Sequence, residues 1–430
     1  MRNTEYLIIG NSTAAVGAVE SIRGVDTDRD ITVLSREPEH TYSRPLISYL
    51  LAERVDEDGM YYRPSDFYEQ YTVTPLLNTT AVNLDVQNRV VESDREGRLR
   101  YGKLLLATGG KPILPPDVDG IDSEGVFTFT TWQDARDIKT YITRHDITDA
   151  IVVGGGLIGL KSMEALVQLG LQTTVVELAG RVLGSTFDAT ASTIAREAME
   201  RAGVDVRCNT TVDSITCRDG RVDGAVLTDG EALDCGLIIF AIGVTPNTTL
   251  VQDSPVDTDR GILVDERMRT SAPHVYAAGD VAQARALLSD EKLNIPIFPN
   301  AYRQGATAGA AMAGDNPSYE GTMAMNSVDI FGLPTISVGI TAPENEEKFE
   351  ILSECDRSEP SYRKIVLRDN RIVGAIFIGQ VDRAGIFTGL ARGRVDVSQF
   401  KDRLLTDDFG LISLPQDYRN RVISGHPLEV

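Results

Sequence analysis

Two stretches of this chain repeat one grammar: an apolar run, a glycine-bearing turn, an alanine-rich stretch and a second apolar run. The first joins Tyr6-Leu7-Ile8-Ile9 to Gly10-Asn11-Ser12-Thr13-Ala14-Ala15 and ends on Ile31-Thr32-Val33-Leu34. The second joins Ala150-Ile151-Val152-Val153 to Gly154-Gly155-Gly156-Leu157-Ile158-Gly159 and ends on Thr173-Thr174-Val175-Val176-Glu177. Continuous apolar runs bounded by turns and followed by helical stretches indicate parallel strands covered on both faces. The expected fold is therefore α/β, with two Rossmann-like dinucleotide-binding domains in one chain.

The glycines have a chemical purpose. A phosphate-binding turn must be tight, must let the backbone approach a pyrophosphate, and must let the helix pack close to its strand. The second copy has all three, Gly154, Gly156 and Gly159, with Leu157 and Ile158 between the last two. Glu177 follows 18 residues after Gly159, where an acid accepts bonds from the adenosine ribose and repels an extra phosphate. That favours NAD(H) over NADP(H), although Arg181 lies nearby. The first copy is degenerate: Gly10 is kept, but Ser12 and Ala15 replace the other glycines. Glu37 is the acid available for its ribose, with an exposed loop acid as the competing reading.

With 430 residues, 42% of them hydrophobic, the chain has room for two or three domains. No apolar stretch approaches the about 18 residues that span a bilayer. Met1-Arg2-Asn3-Thr4 runs straight into Tyr6-Leu7-Ile8-Ile9, so no signal peptide and a cytoplasmic location are expected. A net charge of −21 opposes nucleic acid and membrane surfaces as partners. Cys208, Cys217, Cys235 and Cys355 have no metal or redox spacing, and His40, His145, His274 and His426 are scattered, so no metal site is expected.

Four further segments occur in order around the two nucleotide folds. They are Tyr42-Ser43-Arg44-Pro45-Leu46-Ile47-Ser48, Tyr101 to Pro112 with Ala107-Thr108-Gly109, Ala241-Ile242-Gly243-Val244-Thr245-Pro246-Asn247, and Val275-Tyr276-Ala277-Ala278-Gly279-Asp280. Together they resemble the FAD-dependent pyridine nucleotide oxidoreductases over nearly the whole chain. The nearest branch contains the flavin module of nitrite reductase, rubredoxin and ferredoxin reductases, and flavoprotein subunits linking NAD to iron–sulfur proteins.

The resemblance implies an FAD domain at 1–115 and 245–315, an NAD domain at 116–244, an α+β interface or dimerisation domain at 316–400, and a tail at 401–430. Met325 to Pro334 and Lys364 to Phe377 read independently as antiparallel strands, the second around a polar turn. It also implies that Gly279 and Asp280 hold the ribityl chain and pyrophosphate of FAD. Ala107, Thr108 and Gly109 pass beside the pyrophosphate, Gly243 begins the comparable turn after the NAD domain, and Arg44-Pro45 lie at the flavin and adenine side. Residues 296–305 would begin a helix near the flavin.

Two departures bear on the reaction. Relatives that reduce oxygen, peroxide or coenzyme A disulfide place a cysteine where this chain has Tyr49, and the dithiol of the glutathione-reductase branch is absent. Ferredoxin-reductase-like relatives place Glu where this chain has Lys161 and Lys at the position of Tyr49. Lys161 is accordingly expected to reach the flavin and favour its anionic reduced form, the alternative being a lysine on an exposed helix face.

The expected reaction is hydride exchange between nicotinamide and flavin, then single-electron exchange with an external ferredoxin- or rubredoxin-like protein or dehydrogenase subunit. The chain would be a homodimer or one subunit of a hetero-oligomer. The alternatives are an NADH oxidase or disulfide reductase, and a non-catalytic or redox-sensing flavoprotein subunit. Arg363-Lys364 with Arg368 and Arg371, and Arg383 with Arg392 and Arg394, are the basic stretches; they read as solvated surface.

Overall fold

In the computed structural model, residues 1–289, 291–356, 358–416 and 419–420 are described. The two apolar runs of the first repeat, Arg2–Ile9 and Ile31–Leu34, pair in parallel, with Tyr6 opposite Ile31. Their sheet runs in the order Val73–Leu76, Ile31–Leu34, Arg2–Ile9, Gly97–Leu106, Val90–Ser93, Ala81–Asp85. The chain leaves this sheet after Leu106 and returns to it at Val275–Ala277, which pairs in parallel with Leu104 to Leu106.

Helices Thr13–Val25 and Phe298–Ala313 cover that sheet and approach each other closely. A Cβ at Gly305 would stand 2.0 Å from the Ala14 carbonyl oxygen, and one at Gly309 would stand 2.4 Å from that of Ala18. Only glycine permits this contact, which buries Ala14, Ala18, Ala308 and Met312 in one core with the sheet.

The second repeat builds a parallel sheet in the order Asp205–Cys208, Gln172–Glu177, Asp149–Val153, Leu237–Phe240, Val126–Thr128. A short antiparallel ribbon, Gly110–Pro112 against Val244–Pro246, lies where the chain enters and leaves this part.

The last part is a five-stranded antiparallel sheet: Met325–Ile330, Leu333–Gly339, Arg371–Ile378, Ser361–Arg368, Glu350–Asp356. The polar turn expected within Lys364 to Phe377 is Asp369-Asn370, both with positive φ. One face of this sheet, through Ile330, Tyr362, Ile376 and Ile378, shares a core with the second nucleotide fold. The other packs against helix Ala384–Arg392 and against Val397, Phe400, Leu404, Phe409 and Leu414.

Residues 401–414, expected as the start of a tail, pack onto this domain. The segment has no helical or strand periodicity, yet its spaced apolar residues close the core of the last domain. The expected tail beyond residue 420, with His426, lies outside the described residues. Of the basic stretches, Arg371, Arg383 and Arg394 are exposed as expected, whereas Lys364 is buried, Arg363 pairs with Glu354 and Asp407, and Arg368 donates to the Leu288 carbonyl.

Candidate nucleotide-binding site

Both glycine turns open onto one cavity of about 1460 Å³. Gly10 has φ +116°, and a Cβ there would sit 2.0 Å from the Ala107 carbonyl oxygen, so the turn closes directly on Ala107-Thr108-Gly109. Thr108 Oγ1 donates to the Asn247 carbonyl at 2.7 Å, and Asn247 N–H donates to Gly109 O at 2.8 Å, which ties this wall to the segment after Gly243.

The helix that follows begins at Thr13, with Ser12 as its N-cap residue. The Ser12 side chain makes no capping bond, and the Thr13 hydroxyl is buried with no partner among the described residues. Ser12 and Thr13 line the cavity with the unpaired N–H groups at the start of a 13-residue helix, a donor set that fits a pyrophosphate. Gly279, whose N–H donates to Gln304 Oε1, lies against Ala14 of the same helix, and Asp280 beside it lines the cavity. Burial raises the Asp280 carboxyl above its ordinary value, and the Arg44 charge opposes that shift.

Glu37 and Arg44 form an ion pair on the cavity wall. Glu37 also accepts from the Tyr42 hydroxyl at 2.5 Å, and Arg44 donates to the Thr130 carbonyl at 2.8 Å. Glu37 is thus a half-buried network member and not an exposed loop acid. Pro45 lines the same wall.

In the second turn the three glycines have separate duties. Gly154 has φ +108°, and a Cβ would meet the Ala241 carbonyl oxygen at 2.5 Å. A Cβ at Gly159 would stand 1.9 Å from the Gly154 oxygen, so this residue seats the helix Leu157–Gln168 on the turn. At Gly156 a Cβ would meet nothing within 4 Å: it would project into the cavity. Glu177 accepts from Gly155 N–H and Ala179 N–H, each at 2.7 Å.

Of the residues singled out in the sequence, Gly10, Ser12, Glu37, Arg44, Pro45, Ala107, Thr108, Gly109, Gly154, Gly156, Leu157, Ile158, Glu177, Gly243, Gly279 and Asp280 line the cavity. Ala15 and Gly159 are buried behind it. Tyr49 and Lys161 are not brought into it. Tyr49 is 37% exposed, with Arg54 over its ring. The Lys161 ammonium donates to Glu164 at 2.5 Å and to the Asp329 carbonyl at 2.9 Å, so it faces the last domain. Neither acceptor lines the cavity.

Sequence reasoning passed over Thr13 and the loop after Glu177, whose Leu178, Ala179, Leu183, Gly184 and Ser185 line the cavity with Arg181. Thr13 was visible as the first residue of the helix; the loop carries no motif.

Residues 4–305 match the family described as pyridine nucleotide-disulphide oxidoreductase, over more than half of the chain. The chain belongs to that family. Residues 325–392 of this pyridine nucleotide-disulphide oxidoreductase match the rubredoxin NAD+ reductase C-terminal domain. It is 31% identical over 402 residues to the nitrite reductase [NAD(P)H] of Bacillus subtilis (strain 168), covering 93% of this chain but only 48% of that protein. It is 31% identical over 413 residues to the NADH-dependent phenylglyoxylate dehydrogenase subunit epsilon of Aromatoleum evansii, covering 95% and 96% of the two chains. A ferredoxin reductase from Rhodopseudomonas palustris superposes with a TM-score of 0.81 at 25% identity, covering 90% and 93%.

These matches bear out the family expected from the segments around Tyr42, Ala107, Gly243 and Gly279. As a member, the chain is an FAD- and NAD(H)-dependent oxidoreductase. Among the described residues no helix is long and apolar enough to cross a membrane, and no cluster of His, Cys, Asp or Glu suits a metal ion.

Proposed function

We propose that this oxidoreductase passes electrons between NAD(H) and an external iron–sulfur protein, as a cytoplasmic flavoprotein subunit. The observation that carries the reading is the cavity wall: it holds both nucleotide turns and no cysteine. Cys208, Cys217, Cys235 and Cys355 all lie elsewhere, and burial pushes the Cys235 thiol up to about 12. With no thiolate beside the cavity, a protein disulfide or sulfenate has no place in the route. The names of the relatives agree, since a ferredoxin reductase and a dehydrogenase subunit both match nearly end to end.

In this reading residues 1–115 and 245–315 hold FAD and residues 116–244 hold NAD(H). The return of Val275–Ala277 to the first sheet supports the split. Ser12, Thr13 and the helix N-terminus take the FAD pyrophosphate, Asp280 accepts from the ribityl chain, and Arg44, fixed by Glu37 and Thr130, closes one wall. Gly154, Gly156 and the Leu157–Gln168 helix take the NAD pyrophosphate, while Glu177 faces the adenosine ribose. FAD, when bound, accepts electrons in pairs from the nicotinamide and gives them up singly. The protein binds and orients both nucleotides and keeps water from between them.

The test is anaerobic. NADH should reduce the FAD-loaded protein rapidly, and an oxidised ferredoxin should reoxidise it faster than air does. Rapid oxidation by air with indifference to ferredoxin sinks the iron–sulfur reading in favour of an oxidase.

A further inference from the structure

The loop from Leu178 to Asp188 lines the cavity beside the second glycine turn through Leu178 to Ser185, and its far end is held by the last domain as well as by its own. Near its start Ala179 N–H donates to Glu177, and at its middle Leu183 N–H donates to the Gly155 carbonyl at 2.8 Å. At its end Asp188 caps the helix Ala189–Arg201, with Oδ1 accepting from Ala191 N–H at 3.0 Å. The other oxygen, Oδ2, is taken by the last domain: Lys364 Nζ donates to it at 2.8 Å and the Tyr362 hydroxyl at 2.7 Å.

Lys364 is only 3% exposed. An ammonium buried to that degree needs its carboxylate, because separating the two leaves an uncompensated charge in a low-dielectric interior. Burial alone raises the Asp188 pKa; the bonds from Ala191, Lys364 and Tyr362 outweigh it and bring the carboxyl below its ordinary value. The end of the loop and the strand Ser361–Arg368 are therefore one mechanical unit, although 176 residues separate Lys364 from Asp188 in sequence.

We propose that Tyr362 and Lys364 are positioning residues for NAD(H), by which the C-terminal sheet sets the nucleotide-binding loop through Asp188. The proposal rests on the assignment of this part of the cavity to NAD(H). Neither side chain lines the cavity, so both act on affinity and leave the reacting atoms untouched.

The FAD-loaded wild type, Tyr362→Phe, Lys364→Met and Lys364→Arg are titrated with NAD+ by calorimetry, and the NADH dependence of flavin reduction is recorded. Lys364→Met should weaken NAD+ binding and raise KM for NADH by about tenfold, within the range of ordinary coupling between sites. Tyr362→Phe should do so by less, and Lys364→Arg should recover part of the loss. FAD content and the limiting rate of reduction should hold. By reciprocity, NAD+ should slow amide exchange in 361–366 as well as in 178–188 of the wild type.

Variants that fold and bind NAD+ as the wild type does overturn the proposal. If Lys364→Met does not fold, Tyr362→Phe decides: unchanged affinity, with no exchange protection at 361–366 in the wild type, overturns it equally. A wild type that binds no NAD+ sinks the nucleotide assignment itself, and this proposal with it.

Discussion

Glu177 and Gly155 are joined across the second glycine turn: the carboxylate Oε2 accepts the glycine N–H at 2.7 Å, while Oε1 accepts from Ala179. The acid proposed to face the ribose also fixes the glycine turn itself. Glu177→Gln loses the charge and one of the two acceptor oxygens, setting an amide NH2 against one of the two backbone N–H groups. It should cost about 1.5 kcal/mol of NADH binding, the scale of one charged hydrogen bond, and narrow the preference for NADH over NADPH. Steady-state kcat/KM with both nucleotides measures this, and an unchanged ratio removes Glu177 as the discriminating group.

Gly156 and Gly159 should fail differently when replaced by alanine. At Gly159 the new methyl would meet the Gly154 oxygen at 1.9 Å, so about 2 kcal/mol of stability should be lost to overpacking. At Gly156 the methyl meets no protein atom within 4 Å, so the melting temperature should hold while KM for NADH rises. Thermal melts paired with kinetics separate the two; equal melting losses contradict the division of duties.

Thr13→Val carries a prediction of sign. Its hydroxyl is buried without a partner among the described residues. Removing an unsatisfied group of this kind should stabilise the flavin-free protein by about 1 kcal/mol while weakening FAD binding. Melts of flavin-free and FAD-loaded protein would show opposite shifts. Destabilisation of both forms would mean that the hydroxyl serves the fold and not the ligand.

Lys161→Met should leave the flavin midpoint potential unchanged, because the ammonium is committed to Glu164 and the Asp329 carbonyl. It should cost about 1 kcal/mol of stability, as expected for a partly buried pair with one added backbone bond. A shifted potential in a redox titration would restore Lys161 to the flavin.

Tyr6 and Asp26 set an acid limit on the first domain. The Tyr6 hydroxyl donates to Asp26 Oδ2 at 2.7 Å, and this bond lowers the Asp26 carboxyl to about 2. A folded pKa below the unfolded value means a contribution that is complete above about pH 4 and lost as pH falls through about 2. Burial, with the Asp26 bond, pushes Tyr6 up to about 12. Tyr6→Phe should return Asp26 toward its ordinary value and flatten the acid denaturation curve between about pH 4 and 2. Carbon-detected NMR titration of Asp26 reports it directly, and an unmoved midpoint would count against the bond.

By itself the sequence determined both nucleotide folds, because each rests on local physics. A turn that must take positive φ, as at Gly10 and Gly154, and a helix that must start hard against it can be written in six residues. The hairpin around Asp369-Asn370 was legible for the same reason. The tertiary structure decided what long-range partners decide. Lys161 sits two residues past a cavity-facing turn, yet a backbone carbonyl from another domain claims its charge. The aperiodic segment after residue 400 becomes core because Leu404, Phe409 and Leu414 meet a sheet built elsewhere. Lys364, which sequence reads as surface, is buried because Asp188 arrives from 176 residues away to neutralise it. Burial and charge pairing depend on which surfaces meet, and that is a property of the folded chain, not of any one stretch of it.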